Sequence, residues 1–163
     1  MAITEKLSKD SKTEIPMIIS VDDHLVEPPH LWQTWLPNKF KEKGPRIERR
    51  RLGEMLWVGG SKMYEYELDA PDAPWCDIWF YEDLVYPNKR HVAAVGFARE
   101  EMTMSPITYD EMRPGCYEPK ARVEDMISNH VEASLSFPTM PRFCGQTFAE
   151  AEDRELALAC VKR

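Results

Sequence analysis

The chain has 163 residues, with 28 acidic and 21 basic side chains and a formal net charge of −7. That length supports one domain with a real core, or a piece of a larger one. The acidic balance disfavours a nucleic-acid partner, which calls for a basic face, and no apolar run approaches the ~18 residues that span a bilayer.

Residues 1–16 are polar and charged and predict a flexible N-terminal arm. They lack the apolar stretch of a secretory signal. The four cysteines, Cys76, Cys116, Cys144 and Cys160, form no C-x-x-C pair. The expectation is reduced thiols in a cytoplasmic protein. Arg46, Arg49, Arg50 and Arg51 form a short basic run beside Glu48 and Glu54 and read as a solvated surface. Thirteen prolines against seven glycines predict long ordered loops with fixed turns.

Met17-Ile18-Ile19-Ser20-Val21 is a short β-branched run that ends in Asp22-Asp23-His24. It predicts a strand over 17–22 buried on both faces, as in a parallel sheet. Pro28-Pro29 breaks the pattern. Leu31, Trp32, Trp35, Leu36 and Phe40 then have helical spacing, with His30 at the start and Pro37 as the terminator. Leu56-Trp57-Val58, Gly59-Gly60 and the alternation over 62–68 predict a hairpin. The aromatic-rich segment from Trp75 to Tyr86 reads either as a packing element or as an apolar pocket wall, and residues 102–118 as an irregular stretch.

Pro119 suits the first position of a helix that runs to Asn129. Val131 to Phe137 alternates apolar and polar residues and predicts a strand ended by Pro138. Thr147 and Glu150 match a capping box, with a helix to follow. The order is strand, long insertion, helix, strand, helix, an α/β pattern.

Asp22-Asp23-His24 is the sharpest chemical feature. The carboxyl ends of strands form the active face of parallel sheets and barrels. Side chains alternate along a strand, so Asp22 and His24 point the same way and can bind one divalent metal, while Asp23 points to the other face. The alternative is an exposed strand-to-loop turn. Glu27 reads as a further oxygen ligand, a base, or a turn residue before Pro28. His91 reads as a surface residue, and His130 sits at the N-terminal end of its strand, away from a catalytic face. In the loop 138–147, Arg142 either pairs with a substrate carboxylate or forms a loop salt bridge. Cys144 reads as a small buried residue.

Ser20-Val21-Asp22-Asp23-His24-Leu25-Val26-Glu27-Pro28-Pro29 resembles the opening of the amidohydrolase-related (amidohydrolase 2) family. These are metal-dependent hydrolases and decarboxylases on a TIM barrel, and include aminocarboxymuconate-semialdehyde decarboxylase. The likeness continues in Leu31-Trp32, Leu36-Pro37 and Trp79-Phe80-Tyr81-Glu82-Asp83. It is strongest in Arg113-Pro114-Gly115-Cys116-Tyr117-Glu118-Pro119-Lys120-Ala121-Arg122, and persists through Phe137-Pro138-Thr139 and Pro141 to Phe148. It runs from about residue 17 to the end and is specific for the family, not for a substrate. The family usually carries H-x-H on its first strand, where this chain has D-x-H, and some relatives also place an acid there.

The resemblance implies the N-terminal part of a (β/α)8 barrel. Residues 17–24 would hold strand one and the metal motif, 25–118 an insertion over the barrel mouth, and 119–163 a helix-strand-helix unit. It implies Asp22 and His24 as ligands of a divalent metal, Zn²⁺ or, with an oxygen ligand, Mn²⁺. A complete barrel needs about 200 residues or more, and the family's later ligands have no counterpart in this chain.

The expected function is that of an N-terminal fragment of a metal-dependent hydrolase acting on a small, anionic organic substrate. Alternatives are a non-oxidative decarboxylase of the same family, a non-catalytic remnant that binds a partner chain, and an independent small α/β binding domain. The last would leave open sheet edges. A homo-oligomer or a complementing C-terminal chain is the expected macromolecular partner, and the isolated chain is expected to be inactive.

Overall fold

The computed structural model describes residues 15–59 and 64–162. Most of the expected arm at 1–16 lies outside the described residues. So do Gly60, Lys62 and Met63 of the expected hairpin, and Arg163.

The described residues form a mixed α/β structure with two sheets and no closed barrel. β1 (Ile18–His24) carries the β-branched run. After Pro28-Pro29 come α1 (Leu31–Trp35) and α2 (Asn38–Lys41). The predicted helix ends before Pro37, as expected, and a second short helix follows it. Leu36 is extended, with ψ 145°, as a residue before proline tends to be, and α2 restarts beyond the ring.

β2 (Arg46–Trp57), β3 (Tyr64–Leu68), β4 (Trp75–Tyr81) and β5 (Leu84–Pro87) make an antiparallel sheet in the order β3-β2-β4-β5. The predicted hairpin is the β2–β3 pair, with Leu56 opposite Glu65 and Trp57 opposite Tyr64. The Trp75–Tyr86 segment is a second hairpin. Its β4 is buried on both faces, so its side chains feed two cores. Cys76 and Ile78 pack with Leu52 on one side, while Trp79 and Tyr81 enter a cluster with Trp32, Leu36, Met140, Phe148 and Leu156 on the other.

The basic run is only in part the solvated surface that its composition suggests. Arg49 grips Asp77 with two hydrogen bonds of 2.8 Å and also reaches Asp110 at 2.6 Å. Asp77 is only 3% exposed and also accepts the Tyr109 backbone N–H at 2.7 Å. A buried carboxylate needs such partners, because desolvating it unpaired costs several kcal/mol. Arg50, paired with Asp69 and Glu48, fits the surface reading.

α3 (Pro119–Ser128) has Pro119 at its start, as expected, and leads directly into β6 (Val131–Phe137). β6 lies parallel to β1, with Ile18 opposite Val131 and His24 opposite Phe137. This layer is thinly packed. The expected burial of β1 on both faces is not seen, because only β6 pairs with it and nothing covers its apolar side chains: Val21 is 71% exposed, and Ile18, Ile19, Leu135, Val123 and Ile127 are also exposed. The chain closes with α4 (Gln146–Ala149) and α5 (Arg154–Val161).

The expected capping box at Thr147 and Glu150 does not form. Thr147 lies inside α4, and its hydroxyl donates to the Met140 carbonyl at 2.9 Å. The cap is Asp153, whose carboxylate accepts the Leu156 N–H at 3.0 Å. Among the described residues no helix is long and apolar enough to cross a membrane.

Two tryptophans separate packed body from surface. Trp79→Ala is expected to cost about 3–5 kcal/mol in urea denaturation. Trp35→Ala, at an exposed position, should stay within about 0.5 kcal/mol of wild type.

Candidate functional site

β1 delivers its polar end where the sequence places it. Asp22 Oδ1 and His24 Nε2 are 3.8 Å apart, with side chains 83% and 64% exposed. A carboxylate and an imidazole two residues apart can approach this closely only from the same side of the strand. The His24 ring packs 5.7 Å from the ring of Phe137 on β6, and Phe137 stacks on Phe143 at 6.4 Å. The pair is therefore open to solvent, with one apolar wall.

Asp23 points elsewhere, as the alternation requires. Its carboxylate is held by Arg122 of α3 and accepts the His24 N–H at 3.0 Å. Burial opposes its ionisation, but the Arg122 hydrogen bond and charge outweigh that and hold the carboxyl below the usual range. This ion pair ties α3 to the end of β1.

Glu27 is neither exposed nor a simple turn residue. It is 4% exposed, and its two oxygens accept the Thr139 N–H at 2.9 Å and the Met140 N–H at 3.0 Å. Its carbonyl accepts the Tyr109 hydroxyl at 2.7 Å, and Thr139 Oγ1 donates to the Leu25 carbonyl at 2.6 Å. Burial pushes the Glu27 carboxyl up, against the lowering effect of these N–H groups. The carboxylate acts as a strut between the end of β1 and the loop after β6. Sequence reasoning missed this role. The available signal was a charged residue in the otherwise apolar stretch Leu25-Val26-Glu27-Pro28.

The remaining candidates spread out. Arg142 donates to Glu150 at 2.9 Å, and it lines a cleft of about 810 Å³ bounded also by Tyr64, Tyr66, Tyr86, Lys89 and His91. Asp22 and His24 are not part of that wall. Cys144 is exposed, contrary to expectation, and sits at φ 59° between Arg142 at 61° and Gly145 at 69°. The loop's left-handed turn carries it outward. His30 caps α1 without a side-chain bond, His91 is exposed, and His130 opens β6 with its carbonyl accepting the Ile18 N–H at 2.7 Å. Among the described residues, no group of three His, Cys, Asp or Glu side chains is placed to hold a metal ion.

The Asp22–His24 pair is suited to holding a cation. Two donors each about 2.1 Å from a tetrahedral ion sit roughly 3.4 Å apart. The observed 3.8 Å is a small side-chain adjustment from that. One hard oxygen and one imidazole nitrogen suit Zn²⁺ or Mn²⁺. A scan against protein-family models and a search of the curated proteins return no match.

Glu27→Ala would leave two buried N–H groups without acceptors, at about 1–3 kcal/mol each. Denaturant titration should show a loss of about 2–6 kcal/mol. The raised folded-state pKa means that Glu27 supports the fold most below the ordinary 4.5 and less as pH rises through the folded value. The gap between wild type and Glu27→Ala should therefore narrow from pH 4.5 upward.

Proposed function

We propose that this chain is the N-terminal part of a metal-dependent enzyme akin to the amidohydrolase-related family. β1 and β6 would be the first two strands of a (β/α)8 barrel, and residues 25–118 an insertion at its mouth. The observation that carries this reading is the Asp22–His24 pair, 3.8 Å apart at the carboxyl end of a parallel strand. Two further features support it. β6 is reached through a preceding helix, α3, as in a βα unit. The exposed apolar side chains Ile19, Val21 and Leu135 also suit a sheet meant to be covered on both faces, since parallel sheets are normally buried.

The residues of this chain have distinct parts. Asp22 offers a carboxylate oxygen and His24 its Nε2 to a shared divalent ion. The Asp23–Arg122 pair fixes the strand end that presents them. The Phe137 ring, stacked on Phe143, covers one side of His24. When bound, Zn²⁺ or Mn²⁺ would supply Lewis acidity, lowering the pKa of a water or polarising a substrate oxygen. The reaction is hydrolysis of a small organic substrate. The alternative is non-oxidative decarboxylation. Arg142 carries the loop salt bridge to Glu150, which favours that role over substrate binding.

The bare apolar layer also favours a second reading, in which this face binds a partner chain that completes the barrel or a further copy of the same chain.

Metal analysis of the longest natural product containing this sequence tests the proposal. Wild type should hold about one divalent ion per chain, and Asp22→Ala or His24→Ala should lower affinity roughly tenfold to a hundredfold or more. Equal metal content in all three would overturn it.

A further inference from the structure

The antiparallel sheet ends in two edge strands, β3 and β5, each paired on one side only. The cleft of about 810 Å³ runs along both of them. Its wall takes Tyr64, Glu65 and Tyr66 in succession from β3, and Leu84, Val85, Tyr86 and Pro87 in succession from β5. Neighbours in a strand point to opposite faces. Consecutive residues therefore share one wall only where that wall is the edge of the strand. Among the described residues, neither 64–68 nor 84–87 makes a backbone hydrogen bond outside its own ladder.

The two edges are not equivalent. β5 is short and ends in Pro87, which has no N–H to offer. β3 has no proline, so its outward N–H and C=O groups are a template for an added strand.

Charge selects what can be added. Five carboxylates line the cleft, those of Glu65, Glu82, Asp83, Glu150 and Glu152, against the two cations Lys89 and Arg142. On β3 itself, Glu65 and Glu67 are exposed and share one face, while Tyr64, Tyr66 and Leu68 share the other. Among the described residues the Glu65 carboxylate has no hydrogen-bond or ion-pair partner, and Glu67 accepts only the Glu54 N–H, at 3.3 Å. The tyrosine face already holds a cation, since the Lys89 ammonium lies 4.8 Å from the Tyr64 ring centroid and 5.4 Å from that of Tyr66.

A strand laid on β3 thus meets carboxylates on one face, and aromatic rings with a cation on the other. Its own side chains alternate in the same way, so it needs basic residues at every second position and apolar ones between. A second copy of β3 does not fit. Antiparallel pairing about Tyr66 would set Glu65 of each copy opposite Glu67 of the other, and like charges directly opposite are destabilising.

We infer that the β3 edge binds an extended basic segment of a partner protein as an added strand, with alternate Lys or Arg side chains facing Glu65 and Glu67. The Asp22–His24 pair is not part of this wall.

The test is an NMR titration of the isotope-labelled full chain, at low ionic strength, with the peptide acetyl-TKVRVKT-amide. Acetyl-TEVEVET-amide reverses the charge. Acetyl-TKPRPKT-amide keeps the charge but cannot form a regular ladder. The basic peptide should bind with a Kd of about 0.1–1 mM, and both controls at least about tenfold more weakly. At saturation the outward amides of β3 should exchange with solvent about tenfold more slowly, which attraction between charges alone would not cause. Glu65→Lys combined with Glu67→Lys should weaken the basic peptide about tenfold and make the acidic one the better ligand. Absence of binding, equal binding of the proline peptide, unchanged exchange at β3, or a folded double variant that keeps the wild-type preference would each overturn the inference. A dimer in sedimentation that the basic peptide dissociates would give the edge to a second copy, and would overturn it too.

Discussion

The buried carboxylate of Glu27 joins three parts of this chain that the sequence keeps far apart. Its oxygens hold the backbone of Thr139 and Met140, just past β6, while its own carbonyl takes the hydroxyl of Tyr109 from the irregular stretch. Leu25 N–H reaches the Phe137 carbonyl at 3.2 Å, and Val26 N–H the Cys116 carbonyl at 3.0 Å. The carboxyl ends of two parallel strands, separated by more than a hundred residues of chain, are thereby held in register. A buried carboxylate is costly unless its oxygens are used, and here the use of both is what fixes the strand ends. The direction in which Asp22 and His24 are presented follows from that register.

Packing is divided unequally. β4 is buried on both faces, and its Trp79 and Tyr81 carry one core that gathers α1, α4 and α5. The Arg49–Asp77 pair bolts the same strand to β2 and to Tyr109. By contrast α3 has no buried residue, and Ile18, Ile19 and Val21 of β1 and Leu135 of β6 are exposed. A two-stranded sheet is marginal in water unless something packs on it. The stabilising burial lies in the insertion and the C-terminal helices, whereas the proposed chemistry lies on the layer with least cover.

Much of the architecture was legible locally. The β-branched run at 18–21 and the alternation at 131–137 mark the two parallel strands, and Pro37 and Pro119 place a break and a start. Asp22 and His24 were legible as same-side neighbours, because a period of two needs no tertiary information. What escaped depends on distant partners. Thr147 and Glu150 have capping-box spacing, but Thr147 is spent on Met140 and Asp153 takes the cap. Arg49 looks like its basic neighbours until Asp77 arrives beside it from β4. Glu27 looks like a turn residue until the loop after β6 closes over it, and Lys89 is unremarkable until the two tyrosines of β3 flank it.

The central claim is that one strand end offers an oxygen and a nitrogen to the same cation. Paramagnetic relaxation by Mn²⁺, read on the histidine ring protons of the chain, tests it most directly. The account predicts selective broadening of His24 at low metal ratios, lost in Asp22→Ala, while His30, His91 and His130 stay sharp. Equal broadening of all four histidines, or broadening of His24 that survives removal of the Asp22 carboxylate, would contradict it.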